Sequence, residues 1–360
     1  VKYNLTCLTP TLVGDGRELA PIDYMVWKDQ VNVLDQRRIF KLFAKGPRLD
    51  GYLAQLKRSD RLDFASWGGL AQNYAGRRIA FEHPSLTKYF EQAMPQDLFI
   101  QTFATATTGG IYIPGSALKG ALRTGAMFSG LTPDHWKKML EQLNSGERPT
   151  RRLSATVEDR AVKGQLKGLL AGDSSPLGVT SSTQIFMIRT STLVAAGGKH
   201  ELAWKTIRGS SRSATDGLPV FVEMAQPGTR FEGSWKGGDR ALAAANRFAA
   251  EILANHFQYA ESTGLSKLAK SVDSLRQKLE SLQPNQCLLP LGWGGGFLGK
   301  AAVADGSQEQ VREVMRKLPF YARAIQTGLP FPKTRRIVFL GDEPAALPGW
   351  TLLEVEANHL

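Results

Sequence analysis

The sequence predicts an α+β chain, on three observations. Short runs alternate apolar and polar residues at a period of two, as at residues 3–13 and 229–235. Longer runs repeat apolar residues at helical spacing, as at residues 239–259 and 265–282. The two kinds of run are interleaved along 360 residues, and a 42% hydrophobic content is enough for a substantial core.

Residues 3–13 set Tyr3, Leu5 and Cys7 against Asn4 and Thr6, the pattern of a half-buried strand. Gly14, Asp15 and Gly16 make a turn. Residues 24–27 and 31–34 flank Lys28, Asp29 and Gln30 and read as a hairpin. Asp35 followed by Ile39, Leu42 and Phe43 predicts a short helix. In residues 46–97, glycines and charges such as Lys57, Arg58 and Asp60 interrupt Leu53, Leu56, Leu70 and Phe90, and this stretch is read as a partly helical insertion. Residues 98–103 form another strand-like run.

Residues 111–124, I-Y-I-P-G-S-A-L-K-G-A-L-R-T, read as strand, glycine turn and basic helix start. Ile111, Tyr112 and Ile113 favour a strand, Pro114 and Gly115 break it, and Ser116 stands where an N-cap belongs. Lys119 and Arg123, four apart, share one side of the helix. A helix N-terminus with two aligned cations suits a phosphate, while a solvated basic face is the plainer reading of that pair alone. Gly115 and Gly120 have Walker A spacing, but residue 121 is Ala rather than Lys, which disfavours nucleotide hydrolysis.

Further along, residues 134–143 place Trp136, Met139, Leu140 and Leu143 on one helical face. Residues 144–182 are irregular and basic, with Arg148, Arg151, Arg152, Arg160, Lys163 and Lys167. Residues 184–192 and 218–223 read as antiparallel strands around a polar connection holding Arg208, Gly209 and Arg212. The turn at Pro227 and Gly228 makes residues 229–235 a hairpin partner of 218–223. After the two helices comes L-P-L-G-W-G-G-G-F-L-G-K, residues 289–300. Gly294 and Gly295 let the backbone approach a ligand, Trp293 and Phe297 offer rings for stacking, and Lys300 offers charge. A glycine turn anchored by two core aromatics is the alternative. Lys333, Arg335 and Arg336 then precede a strand at 337–340, where a basic strand edge is the alternative.

A formal charge of +12 favours a polyanionic partner. Cys7 and Cys287 lie far apart, which suggests neither a zinc site nor a disulfide framework. His83, His135, His200, His256 and His359 are scattered singly, and surface or capping roles are expected for them, with no metal or other cofactor. No apolar run approaches the roughly 20 residues of a membrane span, so a cytoplasmic protein with no membrane partner is expected.

Taken together, these stretches resemble the RAMP proteins of CRISPR systems. The I-P-G-S-A-L-K-G-A-L-R-T segment is similar to their I-P-G-S-S-x-K-G-x-x-R, departing at Ala117. Further features resemble the terminal subunit that caps the backbone of the type III-A Csm complex at the crRNA 3′ end. They are L-T-P-T-L-V-G-D-G at 8–16, D-Y at 23–24, L-P-V-F-V-E at 218–223, G-W-G-G-G-F at 292–297 and P-K-T-R-R at 332–336.

The resemblance implies a single RAMP domain with a ferredoxin-like (RRM-type) core and large, partly helical insertions. Residues 1–45 and 98–130 would be core, 46–97 an insertion, and 131–217 a helical and basic loop insertion. Residues 218–360 would supply the remaining strands, the helical pair 239–282 and the glycine-rich loop. It implies crRNA and target RNA as partners, with a neighbouring backbone RAMP subunit, the small helical subunit and trimming nucleases. Gly115, Ser116, Lys119 and Arg123 are the first RNA-binding candidates; Lys300, Lys333, Arg335 and Arg336 come second, and Trp293, Gly294, Gly295 and Phe297 third. A non-enzymatic role is expected. The alternatives are a RAMP endoribonuclease, with Asp23 in I-D-Y-M-V as the catalytic candidate, and the terminal subunit of a type III-B Cmr complex.

Overall fold

In a computed structural model, which describes residues 1–44, 46, 49–58, 73–145, 155–178, 182–303 and 308–356, the period-two pattern sets the first strand. β1 (Lys2–Cys7) buries Tyr3, Leu5 and Cys7 and leaves Asn4 and Thr6 partly exposed. β2 (Glu18–Leu19) follows the glycine turn, and β3 (Tyr24–Val26) pairs with β4 (Gln30–Leu34) as the expected hairpin. Asp35 caps α1 (Gln36–Phe43), its carboxylate accepting the Arg38 N–H at 3.0 Å. α2 (Leu49–Arg58), β5 (Ala75–Ala80) and α3 (Ser85–Gln92) precede β6 (Ile100–Gln101) and α4 (Gly115–Gly130). α5 (Pro133–Asn144) and α6 (Ala155–Gly164) lead to β7 (Leu170–Ser174), β8 (Thr183–Ala196), β9 (Lys199–Thr206) and β10 (Gly209–Ser211). β11 (Val220–Ala225) and β12 (Arg230–Lys236) precede the long helices α7 (Asp239–Ser262) and α8 (Ser266–Glu280). The remaining elements are β13 (Gln286–Pro290), α9 (Glu309–Lys317), α10 (Pro319–Gln326), β14 (Thr334–Leu340), β15 (Glu343–Ala346) and β16 (Trp350–Val355). Asp60, Leu70, Arg148, Arg151, Arg152 and His359 lie outside the described residues.

The strands form three sheets. One is antiparallel, in the order β13-β16-β1-β12-β7, and places Leu5 between Phe231 and Leu353. A second runs β10-β9-β8-β11-β6-β2, with β14 on β8 and β15 on β14, and the third is β3-β4-β5. The two larger sheets share a core in which Tyr3, Leu5 and Cys7 meet Phe186, Ile188, Val222 and Met224, with Phe103 stacked on Phe231 at 5.9 Å. Helix α4 adds Leu118 and Leu122 to it, and α7 adds Leu242 and Ala245.

Several local expectations change. β12 does not fold back on β11. The Gly228 N–H bonds the Cys7 carbonyl at 2.7 Å and the Cys7 N–H bonds the Thr229 carbonyl at 2.9 Å, which steers β12 along β1; both edges of β11 are already filled by β8 and β6. The polar connection after residue 192 contains the β8–β9 hairpin, with Ala196 opposite Lys199. Residues 131–217 therefore supply β7 and β8 to the main sheets as well as helices, and the 46–97 insertion supplies β5 to the small sheet. The strand expected at 98–103 shrinks to two residues. His135 and His256 are buried rather than at the surface.

Helices α4 and α7 pack closely because Gly125 faces Ala245, where a methyl group would lie 2.7 Å from the Ala245 Cα. Gly125→Val is expected to cost about 1–3 kcal/mol of stability by overpacking. Urea unfolding would read this as a lower midpoint at unchanged slope. An unchanged midpoint would mean the two helices separate freely.

Candidate nucleic-acid interface

Helix α4 begins two residues earlier than the sequence suggests. Pro114 precedes the first turn, and Ser116 is exposed within it and makes no capping bond. The cap comes from another segment: the Asp173 carboxylate accepts the Gly115 N–H at 2.8 Å. Gly115 is buried, and a side-chain carbon there would collide with the Ala171 carbonyl oxygen. It is therefore a packing residue whose N–H is already taken, which corrects its expected place at a phosphate. Lys119 is exposed. Arg123, on the same side, is half-buried and paired with Glu158 of α6 at 2.7 Å.

The glycine-rich loop meets the start of the chain. Gly292 has φ +77°, and any side chain there would strike the Leu12 carbonyl, which accepts the Trp293 N–H at 2.8 Å. This docking opens a cleft of about 620 Å³. Ala117, Gly120, Ala121 and Thr124 of α4 form one wall, and Gly292, Trp293, Gly299 and Lys300 form another. Leu12 to Gly14 and Gly16 to Glu18, with Gln101 and Thr102, close it. Lys300 is exposed, whereas Trp293 is half-buried.

The second aromatic of the loop faces elsewhere. Phe297 packs edge-on against Phe331 at 4.9 Å and Tyr321 at 5.4 Å, so it anchors the loop to α10 instead of offering a face to a base. Gly294 and Gly295 line a small pocket beside it, together with Arg335 and Arg336. At Gly294 a side chain would run into Pro348, so this glycine too serves close packing.

Strand alternation splits the basic pair of β14. Arg336 projects to one face, where its guanidinium lies 4.8 Å from the Trp293 ring centre, joining the basic strand to the glycine loop. Arg335 projects to the other and is only 7% exposed. It donates to the Pro332 and Thr334 carbonyls, to Asn255 Oδ1 at 2.7 Å and to His256 Nδ1 at 3.2 Å, and its guanidinium lies 4.6 Å from the Tyr259 ring centre. Burial pushes the guanidinium down to about 10. Arg335 thus fastens β14 to α7, correcting its expected place at RNA. Lys333 is half-buried, its carbonyl bonded by the Leu193 N–H at 3.0 Å.

Asp23 lies away from these groups. Its carboxylate accepts the Ala20 N–H at 2.8 Å and closes the turn before β3. Among the described residues no cluster of three or more His, Cys, Asp or Glu could hold a metal ion, and no helix is long and apolar enough to cross a membrane. Sequence reasoning missed Arg17, Glu18, Gln101, Thr102 and Asp173. A charged pair directly after the Gly14–Gly16 turn was the available signal for the first two; Asp173 gave none, since its role depends on β7 lying beside residue 115.

With this geometry in place, the chain can be compared with known proteins. The family model of the RAMP superfamily matches residues 4–299. Among solved structures, a chain in the cryo-EM structure of a Csm–crRNA–target RNA ternary complex from a type III-A CRISPR-Cas system aligns with TM-score 0.65 and 19% identity, covering 98% of this chain and 100% of that one. The crystal structure of T. onnurineus Csm5 aligns with TM-score 0.61 and 17% identity, covering 97% and 99%. No curated protein matches the sequence. The likenesses carry the fold, with which the expected ferredoxin-like core is consistent.

Two outcomes follow from the packing. Asp173→Ala should cost about 1 kcal/mol through the lost helix cap, and Asp173→Asn much less, measured by chemical denaturation. Equal losses would mean that the cap bond is not what stabilises the helix start. For His256, burial, followed by the Arg335 charge, pushes the imidazole well below its ordinary value of 6.5. Below about pH 6.5 the unfolded chain binds a proton that the folded chain refuses, so stability present at pH 7.5 falls as the solution is acidified. His256→Gln should flatten that dependence by up to about 1.4 kcal/mol per pH unit; an identical slope would mean that His256 is protonated in the fold.

Proposed function

The chain belongs to the RAMP superfamily, and from that premise we propose that it is the crRNA-binding structural subunit of a type III-A Csm effector complex, capping the crRNA 3′ end. The observation that carries this reading is the convergence of separate motifs on one cleft: the basic helix α4, the glycine loop with Trp293 and Lys300, and the Gly14–Gly16 turn. RNA is held through phosphates by cations and through unstacked bases by aromatic rings, and both kinds of group stand at this cleft and its rim. The formal charge of +12 and the likeness to a chain of a Csm–crRNA–target RNA complex point the same way.

In this role the chain holds the guide beside a neighbouring backbone RAMP subunit and the small helical subunit, near the paired target RNA. It supports crRNA maturation by limiting how far trimming nucleases proceed, and it works in the cytoplasm. In this reading it cuts no RNA itself, and Asp23, the candidate of the endonuclease alternative, holds the turn before β3 through one carboxylate oxygen.

Lys300 is an exposed cation lining the cleft and Lys119 is exposed on α4 outside that lining, whereas Arg123 is committed to Glu158. Replacing both lysines with Ala should weaken binding of single-stranded RNA in filter titrations. The slope of log K against log salt should become shallower by about 1.4, the value for two phosphate contacts to a single strand. Unchanged affinity and slope would remove Lys119 and the Lys300 edge of the cleft from the RNA interface.

A further inference from the structure

The cleft is poorly suited to phosphate over most of its surface. Charge on its lining comes from Arg17, Glu18 and Lys300, and Arg17 pairs with Asp15 at 3.5 Å. The N-terminus of α4 already holds an anion, the Asp173 carboxylate, so the helix contributes a smooth side rather than a free end. Leu12, Ala117, Ala121, Leu291 and Trp293 give the cleft apolar lining, and Gln101, Thr102 and Thr124 add neutral polar residues. Its volume of about 620 Å³ has room for a nucleoside.

Glu18 stands in this wall on β2, opposite Gln101 in the β2–β6 register, and is exposed. Among the described residues it has no ion-pair partner. A carboxylate repels the RNA backbone and accepts hydrogen bonds from neutral donors, which in RNA are ribose hydroxyls and base N–H groups. Carboxylates bind ribose hydroxyls in this way in dinucleotide-binding folds. An internal ribose has one free hydroxyl, whereas an unmodified 3′ end presents two adjacent ones, matching the two oxygens of a single carboxylate.

We propose that this cleft takes the terminal nucleoside of single-stranded RNA, with the Glu18 carboxylate accepting hydrogen bonds from a free 2′,3′-diol. The inference rests on the reading of the cleft as an RNA site and makes that site selective for the chemistry of the end. Trp293 flanks the base, and Lys300 meets the phosphate that precedes the terminal nucleoside.

The test uses the full chain and one single-stranded RNA sequence prepared with three ends: a 2′,3′-diol, a 3′-phosphate and a 2′-deoxy terminal nucleotide. The diol end should bind about tenfold tighter than the 3′-phosphate end, with the 2′-deoxy end between them, as expected for losing charge-assisted hydrogen bonds. Glu18→Gln, which keeps the shape of the side chain, should erase the preference by weakening the diol-ended RNA most and the 2′-deoxy-ended RNA less. Equal affinities for the three ends, a preference for the phosphate, or a preference that survives Glu18→Gln would overturn the proposal. If the lysine variants of the preceding section weaken binding while the ends are not distinguished, the RNA site stands and the diol site falls. If none of the RNAs binds, both fall.

Discussion

Three stretches of backbone, drawn from the start, the middle of the last third and the end of the described chain, touch one another with no side chain between them. The Leu8 and Thr9 N–H groups bond the Trp350 carbonyl, the Leu291 N–H bonds the Gly349 carbonyl, the Gly349 N–H bonds the Pro10 carbonyl, and the Trp293 N–H bonds the Leu12 carbonyl. Gly292 and Gly349 have φ of +77° and +85° and sit where any side-chain carbon would collide with a carbonyl oxygen. This junction brings the glycine loop to the Leu12–Gly14 segment, and the cleft exists because of it. Its walls are held by backbone hydrogen bonds between segments, so the spacing does not depend on long flexible side chains.

The charge of the molecule is divided by the same architecture. A formal +12 suggests a uniformly basic surface, yet part of it is spent inward. Arg335 ties β14 to α7 through Asn255 and His256, Arg123 ties α4 to α6 through Glu158, and Arg77 of β5 reaches the fully buried Glu223 on β11. Glu223 also accepts the Thr183 hydroxyl at 2.8 Å and the Phe103 N–H at 3.2 Å, so one carboxylate links the small sheet, β8, β11 and the segment between β6 and α4. The cations at the cleft rim are those left over from this internal use.

What was legible in the sequence was local or periodic. The alternation of Tyr3, Leu5 and Cys7, the cap at Asp35, and the two long helices needed only neighbours along the chain to specify them. The grouping of the glycine loop with the basic helix was legible through motif order. The side of each cation was not: Arg335 and Arg336 are adjacent in sequence, and which one turns inward depends on α7 lying behind β14. The same holds for Gly115, whose N–H is claimed by a residue 58 positions away. The turn at Pro227 and Gly228 looked like a hairpin because turn chemistry is local, whereas the choice of sheet was made by Cys7.

The position of β1 bears on how the chain acquires its shape in time. It is the middle strand of the five-stranded sheet, and both of its neighbours, β12 and β16, come far later along the chain. At a synthesis rate of about 5–20 residues per second, the interval between the emergence of Cys7 and that of Trp350 is roughly 20 to 70 s. Both edges of this half-buried strand are unpaired until β12 emerges and one remains so until β16 does, and meanwhile it must avoid pairing with other nascent chains. The sheet is complete only when β16 reaches β1, so its closure waits on pairing between segments far apart in sequence.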